Sequence, residues 1–261
     1  MKSLWFVFKE SELLLEQLGN DLFTIPLSDN PPTFINEGQQ VHEMEPTEEG
    51  IPVKTYLVDS STQLPLKHVY CELRQSYYKL PNEYYLLAGK CREINYWDAH
   101  SQYCGACGAP MKLHTNISKR CTHCANEVWP QLATAIIVLI YKADEVLLVH
   151  AKNFKSNFYG LIAGFVETGE SLEEAVVREV REETALEIEE LRYFDSQPWP
   201  YPIGLMIGFT ARYKAGKLHL QEEELSAGGW FHRDHLPQIP EKLSLARKLI
   251  DHWLEQNPDT L

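Results

Sequence analysis

Two glutamates on the buried stripe of one amphipathic helix constrain this chain more than any other feature. Ser171, followed three residues later by Glu174, carries a capping-box signature and predicts a helix that starts there. The apolar stripe opens as Leu172, Ala175 and Val176, and its next members at helical spacing are Glu179, Val180 and Glu183. Glu182 flanks them within about one turn. Glu173 and Glu174 read as a solvated face. Glu179 and Glu183 do not, because an unpaired buried carboxylate costs on the order of several kcal/mol. Arg178 reaches Glu174 or Glu182 at four residues' distance, but it cannot meet both stripe glutamates. A hard divalent cation with oxygen ligands answers the demand.

The cysteines give a second constraint. Cys104 and Cys107 form one C-x-x-C knuckle, and Cys121 and Cys124 form another after thirteen intervening residues. Each knuckle turns two sulfurs toward one point, so the four predict a tetrahedral zinc site, one per chain, with no open position for chemistry. Two disulfides are the alternative, but nothing marks the chain as secreted. His123 reads as a bystander, and Cys71 and Cys91 as ordinary buried thiols. Between the knuckles, Lys112, Lys119 and Arg120 form a modest basic patch that reads first as the solvated side of a ribbon hairpin.

Around these features the chain is organised in stretches. Residues 1–98 alternate short apolar runs with Pro- and Asn-rich breaks. LWFVF, KTYLVD and EYYLLAG are predicted as short strands, and SELLLEQL as a helical turn or two. Asp29 to Gly50 reads as loop. LATAIIVLIY, a turn at KADE and then VLLVH predict a buried hairpin, and FYGLIAG leads into the glutamate helix. The chain has 261 residues, 44% of them hydrophobic, which is enough to build a core and excludes wholesale disorder. A formal charge of -13 argues against general duplex nucleic-acid binding. The longest apolar run, Leu132 to Tyr141, is ten residues, against the roughly twenty of a membrane-spanning helix. The N-terminal LWFVF is too short for a secretory leader, so a cytoplasmic protein without membrane contact is expected.

The segment from Gly164 to Leu186 resembles the Nudix box, G-x5-E-x7-R-E-U-x-E-E-x-G-U, at Gly164, Glu170, Arg178, Glu179, Val180, Glu182, Glu183 and Leu186. Ala185 stands where the pattern has Gly, a residue that releases the chain in a left-handed turn at a cost for Ala of roughly 1 kcal/mol. The resemblance implies an α+β chain whose Nudix domain is an α/β/α sandwich with a mixed sheet. It implies magnesium or manganese on Glu179 and Glu183 with the Ala163 carbonyl, Glu182 beside them, and hydrolysis of a nucleoside diphosphate linked to another moiety.

Ten residues past the box, Ser196 to Gly204 reads SQPWPYPIG. Three prolines stiffen it and present Trp199 and Tyr201 as aromatic faces suited to flat heterocycles, or else as plugs for the core. The stretch resembles the SQPWPFPxS of bacterial NADH pyrophosphatases, also described as NAD-capped RNA hydrolases, with Tyr201 for Phe and Gly204 for Ser. That resemblance implies substrate contacts at Gln197, Pro198, Trp199, Pro200, Tyr201, Pro202, Ile203 and Gly204. It extends to Arg74 in LRQ, to Trp129 before Pro130-Gln131, to Ala246 on the last amphipathic helix, and to a late metal-binding and catalytic Glu224.

The layout implied is a small N-terminal α/β domain over residues 1–98, a zinc ribbon over 99–129 and a Nudix domain over 130–256. The activity implied is metal-dependent cleavage of NAD(H) to nicotinamide mononucleotide and AMP, and removal of NAD caps from RNA, by a homodimer. Another Nudix specificity, or a zinc-ribbon binding protein with an inert Nudix domain, are the alternatives. The intact SQPWP loop speaks against the first, and the complete set of box glutamates against the second.

Overall fold

The computed structural model describes residues 1–36, 39–152 and 157–256. The chain divides into two compact units, Met1–Gln131 with Pro200–Ile203, and Leu132–Trp199 with Gly204 onward.

The first unit contains β1 (Ser3–Lys9), β2 (Glu12–Gly19), β3 (Leu22–Thr24), β4 (Leu27–Ser28), β5 (His42–Met44), β6 (Val53–Leu57), β7 (His68–Glu72), α1 (Leu73–Ser76) and α2 (Asn82–His100). A three-stranded antiparallel ribbon follows, β8 (Met111–Thr115), β9 (Ser118–Cys121) and β10 (Glu127–Val128). The second unit contains β11 (Ala133–Lys142), β12 (Glu145–Ala151), β13 (Ile162–Phe165), α3 (Leu172–Thr184), β14 (Glu187–Pro198), β15 (Gly204–Ala215), β16 (Leu225–His232) and α4 (Leu245–Glu255).

The second unit is a mixed sheet in the order β14-β15-β11-β12-β16, with β13 also paired to β11. The predicted hairpin is there: β11 and β12 meet antiparallel at Tyr141 and Val146, while β11 and β15 run parallel. Successive β11 residues point to opposite faces. Ile136, Val138 and Ile140 pack with Ala175, Val176 and Val180 of α3. Ile137 and Leu139 pack with Leu245, Leu249, Ile250 and Trp253 of α4. Because both faces are covered, the strand reads as an unbroken apolar run.

The first unit repeats this sheet. Its path β5-β6-β1-β2 continues to β7, β4 pairs with β1, and β1 and β6 are parallel. On one face Leu4, Phe6, Leu13 and Leu15 pack against Tyr85, Ala88 and Cys91 of α2. On the other, Trp5, Val7, Leu14 and Tyr56 are covered by Ile35 and Val41, which lie in the connection between β4 and β5. Among the described residues of that connection there is no helix like α3 and no row of glutamates.

Two local expectations are corrected. SELLLEQL is strand β2, not a helical turn: Leu13, Leu14 and Leu15 are all buried because the strand is covered on both faces. EYYLLAG lies inside α2, not in a strand, and its buried Tyr85 and Ala88, with Cys91 just beyond it, recur at every third residue, as a helix face requires. Among the described residues, the stretch from Asp29 to Gly50 is loop as read from its composition, apart from β5.

Candidate active site

The glutamate helix starts and stops as its ends dictate. The Glu174 N–H donates to the Ser171 hydroxyl at 3.3 Å, and the Glu174 carboxylate accepts the Ser171 N–H at 2.8 Å, completing the capping box. At the other end Ala185 takes the left-handed conformation, φ 56° and ψ 20°. The chain leaves as a Gly there would, and Ala carries the steric cost.

Along α3 the stripe reads as expected. Ala175, Val176 and Val180 are fully buried, and Glu183 among them is only 4% exposed. The Glu183 carboxylate has no hydrogen bond or ion pair among the described residues. Burial first, then the charges of Glu179, Glu224 and Glu182, push its carboxyl up to about 8. Burial also raises Glu179 above the usual carboxylate range, although Arg178 opposes it.

Arg178 is the organiser. Its Nε and Nη2 donate to the two oxygens of Glu170 at 2.6 and 3.0 Å, a two-pronged grip. Nη2 also donates to the Phe165 carbonyl at 3.0 Å, and Nη1 donates to Glu179 at 2.9 Å and Glu182 at 3.1 Å. Arg178 therefore orients one stripe glutamate and leaves Glu183 without a counter-charge. Of the two expected four-residue partners it takes Glu182, because Glu174 is held at the helix cap.

Glu224 comes to the same place through the backbone. The N–H groups of His219 and Gln221 donate to the carbonyls of Thr184 and Glu183 at 3.0 and 2.9 Å, satisfying the end of α3. Glu224 follows three residues later, just before β16, within electrostatic reach of both stripe glutamates. Ala163 lies on β13 opposite Ile137, next to Gly164. A Cβ at 164 would overlap the Glu179 carboxylate, so the box glycine leaves room for that side chain. Glu179, Glu183 and Glu224 are oxygen groups within electrostatic reach of one another, and among the described residues Arg178 is paired with only the first of them, a chemistry that suits a hard divalent cation.

Elsewhere in the second unit, β14 and β15 are joined by the proline-rich loop. The Trp199 N–H donates to the Gly204 carbonyl at 2.8 Å, closing its base. A Cβ at Gly204 would stand 3.1 Å from the Trp199 carbonyl oxygen and 3.3 Å from that of Ala133, a fit tight for any side chain. Gln197 is 9% exposed; its Nε2 donates to the Leu243 carbonyl at 2.8 Å, while Oε1 is buried with no partner among the described residues. Ala246 is buried on α4 beside Leu245 and Leu249.

The remaining residues implied by resemblance lie in the first unit. Tyr201 packs against the core under α2, its hydroxyl 2.8 Å from that of Tyr85, and Arg74 on α1 is within electrostatic reach of both. Pro200 is buried, Pro202 is exposed, and Ile203 lies between. Trp129, just past β10, is 52% exposed. Pro198, at the end of β14 in the second unit, is exposed.

In the ribbon, the four sulfurs of Cys104, Cys107, Cys121 and Cys124 lie within 4.8 Å of one another and could hold a metal ion. All six cysteines are free thiols. His123 contributes only its N–H, to the Cys121 sulfur at 3.4 Å. The Ala106 N–H, above other hydrogen bonds, draws the Cys104 thiol down to about 6. Cys71 and Cys91 are buried, and burial pushes Cys91 up to about 12.

The basic patch is smaller than expected. Lys119 is 2% exposed, its Nζ 2.5 Å from Asp98 Oδ1 and 2.8 Å from the Asp98 carbonyl. Arg120 pairs with Glu127. Asp98 also faces the buried His42 at 3.4 Å, and these two partners hold its carboxyl below the usual range against the effect of burial. Sequence reasoning missed this cluster, because its members are 21 or more residues apart and none falls in a motif.

A sheet with one face covered by a glutamate helix of this pattern defines a Nudix domain. Residues 130–253 match the family description NUDIX domain, and residues 2–97 match NADH pyrophosphatase-like rudimentary NUDIX domain, in keeping with the repeated sheet. The chain is 39% identical over 208 residues to the NAD-capped RNA hydrolase NudC of Pseudomonas aeruginosa (strain LESB58), covering 79% of this chain and 74% of that one. It is 44% identical over 168 residues to the protein of the same name from Photorhabdus laumondii subsp. laumondii, covering 63% and 65%. A crystal structure of a Nudix hydrolase from Nitrosomonas europaea shares the fold at a TM-score of 0.51 and 19% identity, over 59% of this chain and 90% of that one. The chain belongs to the Nudix family, in the group that bears the name NudC. Among the described residues no helix is long and apolar enough to cross a membrane.

Proposed function

We propose that the protein hydrolyses the diphosphate bond of NAD(H), giving nicotinamide mononucleotide and AMP, and that the same cleavage removes the NAD cap from RNA 5′ ends. One observation carries the hydrolytic reading. Glu183 is buried on α3 without a counter-charge, beside Glu179, Glu182 and Glu224, in a relative of proteins named NAD-capped RNA hydrolase.

In this reading Glu179, Glu183 and Glu224, with the Ala163 carbonyl, hold magnesium or manganese. That cation, when bound, offsets phosphate charge and lowers the pKa of the attacking water. Arg178 keeps the Glu179 and Glu182 carboxylates in place through its hydrogen bonds. Glu182 and Glu224 are the carboxylates offered to the proton of the attacking water.

On the substrate side, the free acceptor of Gln197 takes an N–H of the ligand, since a buried carbonyl without a partner is costly until one arrives. The Trp199 face stacks on a heterocycle. Pro198, Pro200 and Pro202 stiffen the loop, and Arg74, Trp129, Tyr201, Ile203, Gly204 and Ala246 complete the substrate contacts. Zinc on Cys104, Cys107, Cys121 and Cys124, one per chain, forms a closed structural shell. The chain is organised as an N-terminal domain over residues 1–98, the ribbon over 99–129 and the Nudix domain over 130–256, and works as a cytoplasmic homodimer.

The test is direct. Purified protein with manganese is incubated separately with NADH, NAD, ADP-ribose and NAD-capped RNA, and the products are resolved by chromatography. Nicotinamide mononucleotide and AMP are expected from NADH, and 5′-monophosphate RNA from the capped transcript. Efficient ADP-ribose cleavage with none of NADH would overturn the reading.

A further inference from the structure

The proline-rich loop is fastened at two levels. Its base is closed by the Trp199 N–H on the Gly204 carbonyl at 2.8 Å. Its tip, Pro200 to Ile203, is compact with the first unit. There the Tyr201 ring packs against the core formed by Leu4, Phe6, Leu13 and their neighbours, and its hydroxyl lies 2.8 Å from the Tyr85 hydroxyl on α2. One turn further along the same helix, a Cβ at Gly89 would stand 3.1 Å from Pro200 Cγ, so the helix backbone approaches the proline ring where a side chain would crowd it. Tyr85 is itself held, edge-on to Tyr77 with ring centroids 5.3 Å apart, and is 6% exposed.

We propose that Tyr85 is a positioning residue for Trp199, acting through its hydroxyl contact with Tyr201. The inference rests on the reading of Trp199 as the surface that stacks on the substrate, and takes the nicotinamide, the ring that ADP-ribose lacks, as the heterocycle it meets. Trp199 lies between the closed base and the docked tip, and only Pro200 separates it from Tyr201. With Pro200 against Gly89 and the Tyr201 hydroxyl on that of Tyr85, the backbone on either side of Trp199 has little freedom. A loop held in its binding conformation binds ligand without the cost of ordering it. Loss of the hydroxyl contact loosens the tip and raises that cost, so the effect falls on substrate affinity, not on the bond-breaking step.

The geometry also sets the pattern across variants. Either single phenylalanine removes the same hydroxyl–hydroxyl contact, and the double variant removes nothing more while keeping rings of nearly the same shape. The two changes are therefore non-additive.

The experiment measures KM and kcat for NADH, and for ADP-ribose, in wild type, Tyr85→Phe, Tyr201→Phe and the double variant, with melting temperatures alongside. Tyr85→Phe is expected to raise KM for NADH three- to tenfold with kcat within twofold, and to leave ADP-ribose cleavage unchanged. In the double variant KM for NADH is expected to rise no further than in the single variants, because all three lose the same contact. Gly89→Ala, which pushes on Pro200 without touching either hydroxyl, is expected to raise KM for NADH in the same way. Wild type that cleaves NADH, with KM unchanged in both single variants, overturns the positioning role alone. So does an equal KM rise for NADH and ADP-ribose, since a general loosening of the fold does not distinguish them. Wild type that leaves NADH intact overturns the functional reading and this inference with it.

Discussion

Gly164 and Glu179 lie so close that a Cβ at position 164 would coincide with the Glu179 carboxylate. The clash would fall on the far end of a flexible side chain, which can swing away at little cost in stability. The carboxylate would then leave the position that Arg178 Nη1 gives it at 2.9 Å. Gly164→Ala is therefore expected to keep its melting temperature within a few degrees while losing on the order of a hundredfold in kcat, the scale of a misplaced catalytic group. A variant with normal kcat would show that Glu179 need not sit on Gly164 for the reaction.

The two stripe glutamates should trade stability for turnover. Glu179→Gln and Glu183→Gln each remove charge from the proposed cation site and are expected to lower kcat on the order of a hundredfold or more. Without metal, each should be at least as stable as wild type, because like charges on one face repel. Near-normal turnover in either variant at saturating metal would remove that residue from the site.

A pH dependence follows from Glu183 in the chelated protein. Its folded pKa is about 8 against an ordinary 4.5. Between those values the folded chain keeps a proton that the unfolded chain releases, so stability falls as pH rises from about 4.5 to about 8. Melting temperature measured in chelator should decline across that window more steeply for wild type than for Glu183→Gln. Parallel curves would mean that Glu183 ionises in the fold as readily as in the unfolded chain.

What the sequence made legible was whatever is carried by near neighbours. The capping box at Ser171 and Glu174, the stripe from Leu172 to Glu183, and the pairs of cysteines are all fixed by spacings of two to four residues. The errors came where long-range packing decides. SELLLEQL looked helical because three consecutive leucines carry no alternation, yet β2 is covered on both faces. EYYLLAG looked like a strand because its aromatics favour strands, yet as part of α2 it offers Tyr85 and Ala88 to the sheet. The Lys119 contact with Asp98 spans 21 residues, and the Tyr85 contact with Tyr201 spans 116. No local pattern announces either.

The ribbon should matter for integrity and not for chemistry. Its four sulfurs form a set with no place left for water once an ion is bound. Cys104→Ser is expected to lower bound zinc and the melting temperature, while kcat per folded molecule stays near wild type. A folded, zinc-depleted variant that loses the chemical step would give the ribbon metal a role in the reaction.

Trp199 separates a recognition loop from a structural plug. If its face stacks on a base or nicotinamide, Trp199→Ala loses roughly 1–3 kcal/mol of stacking. By the usual conversion that is about a ten- to hundredfold drop in kcat/KM for NADH. A small diphosphate lacking a second heterocycle should be cleaved almost as before, because the carboxylates on α3 and Glu224 are untouched. The ring is half-buried, so some loss of stability is expected under either reading, and melting temperature alone does not decide. The ratio of the two substrates does. A plug does not distinguish ligands, so equal losses on both, with a large fall in melting temperature, would assign Trp199 to packing and leave recognition to Gln197 and its unpartnered Oε1.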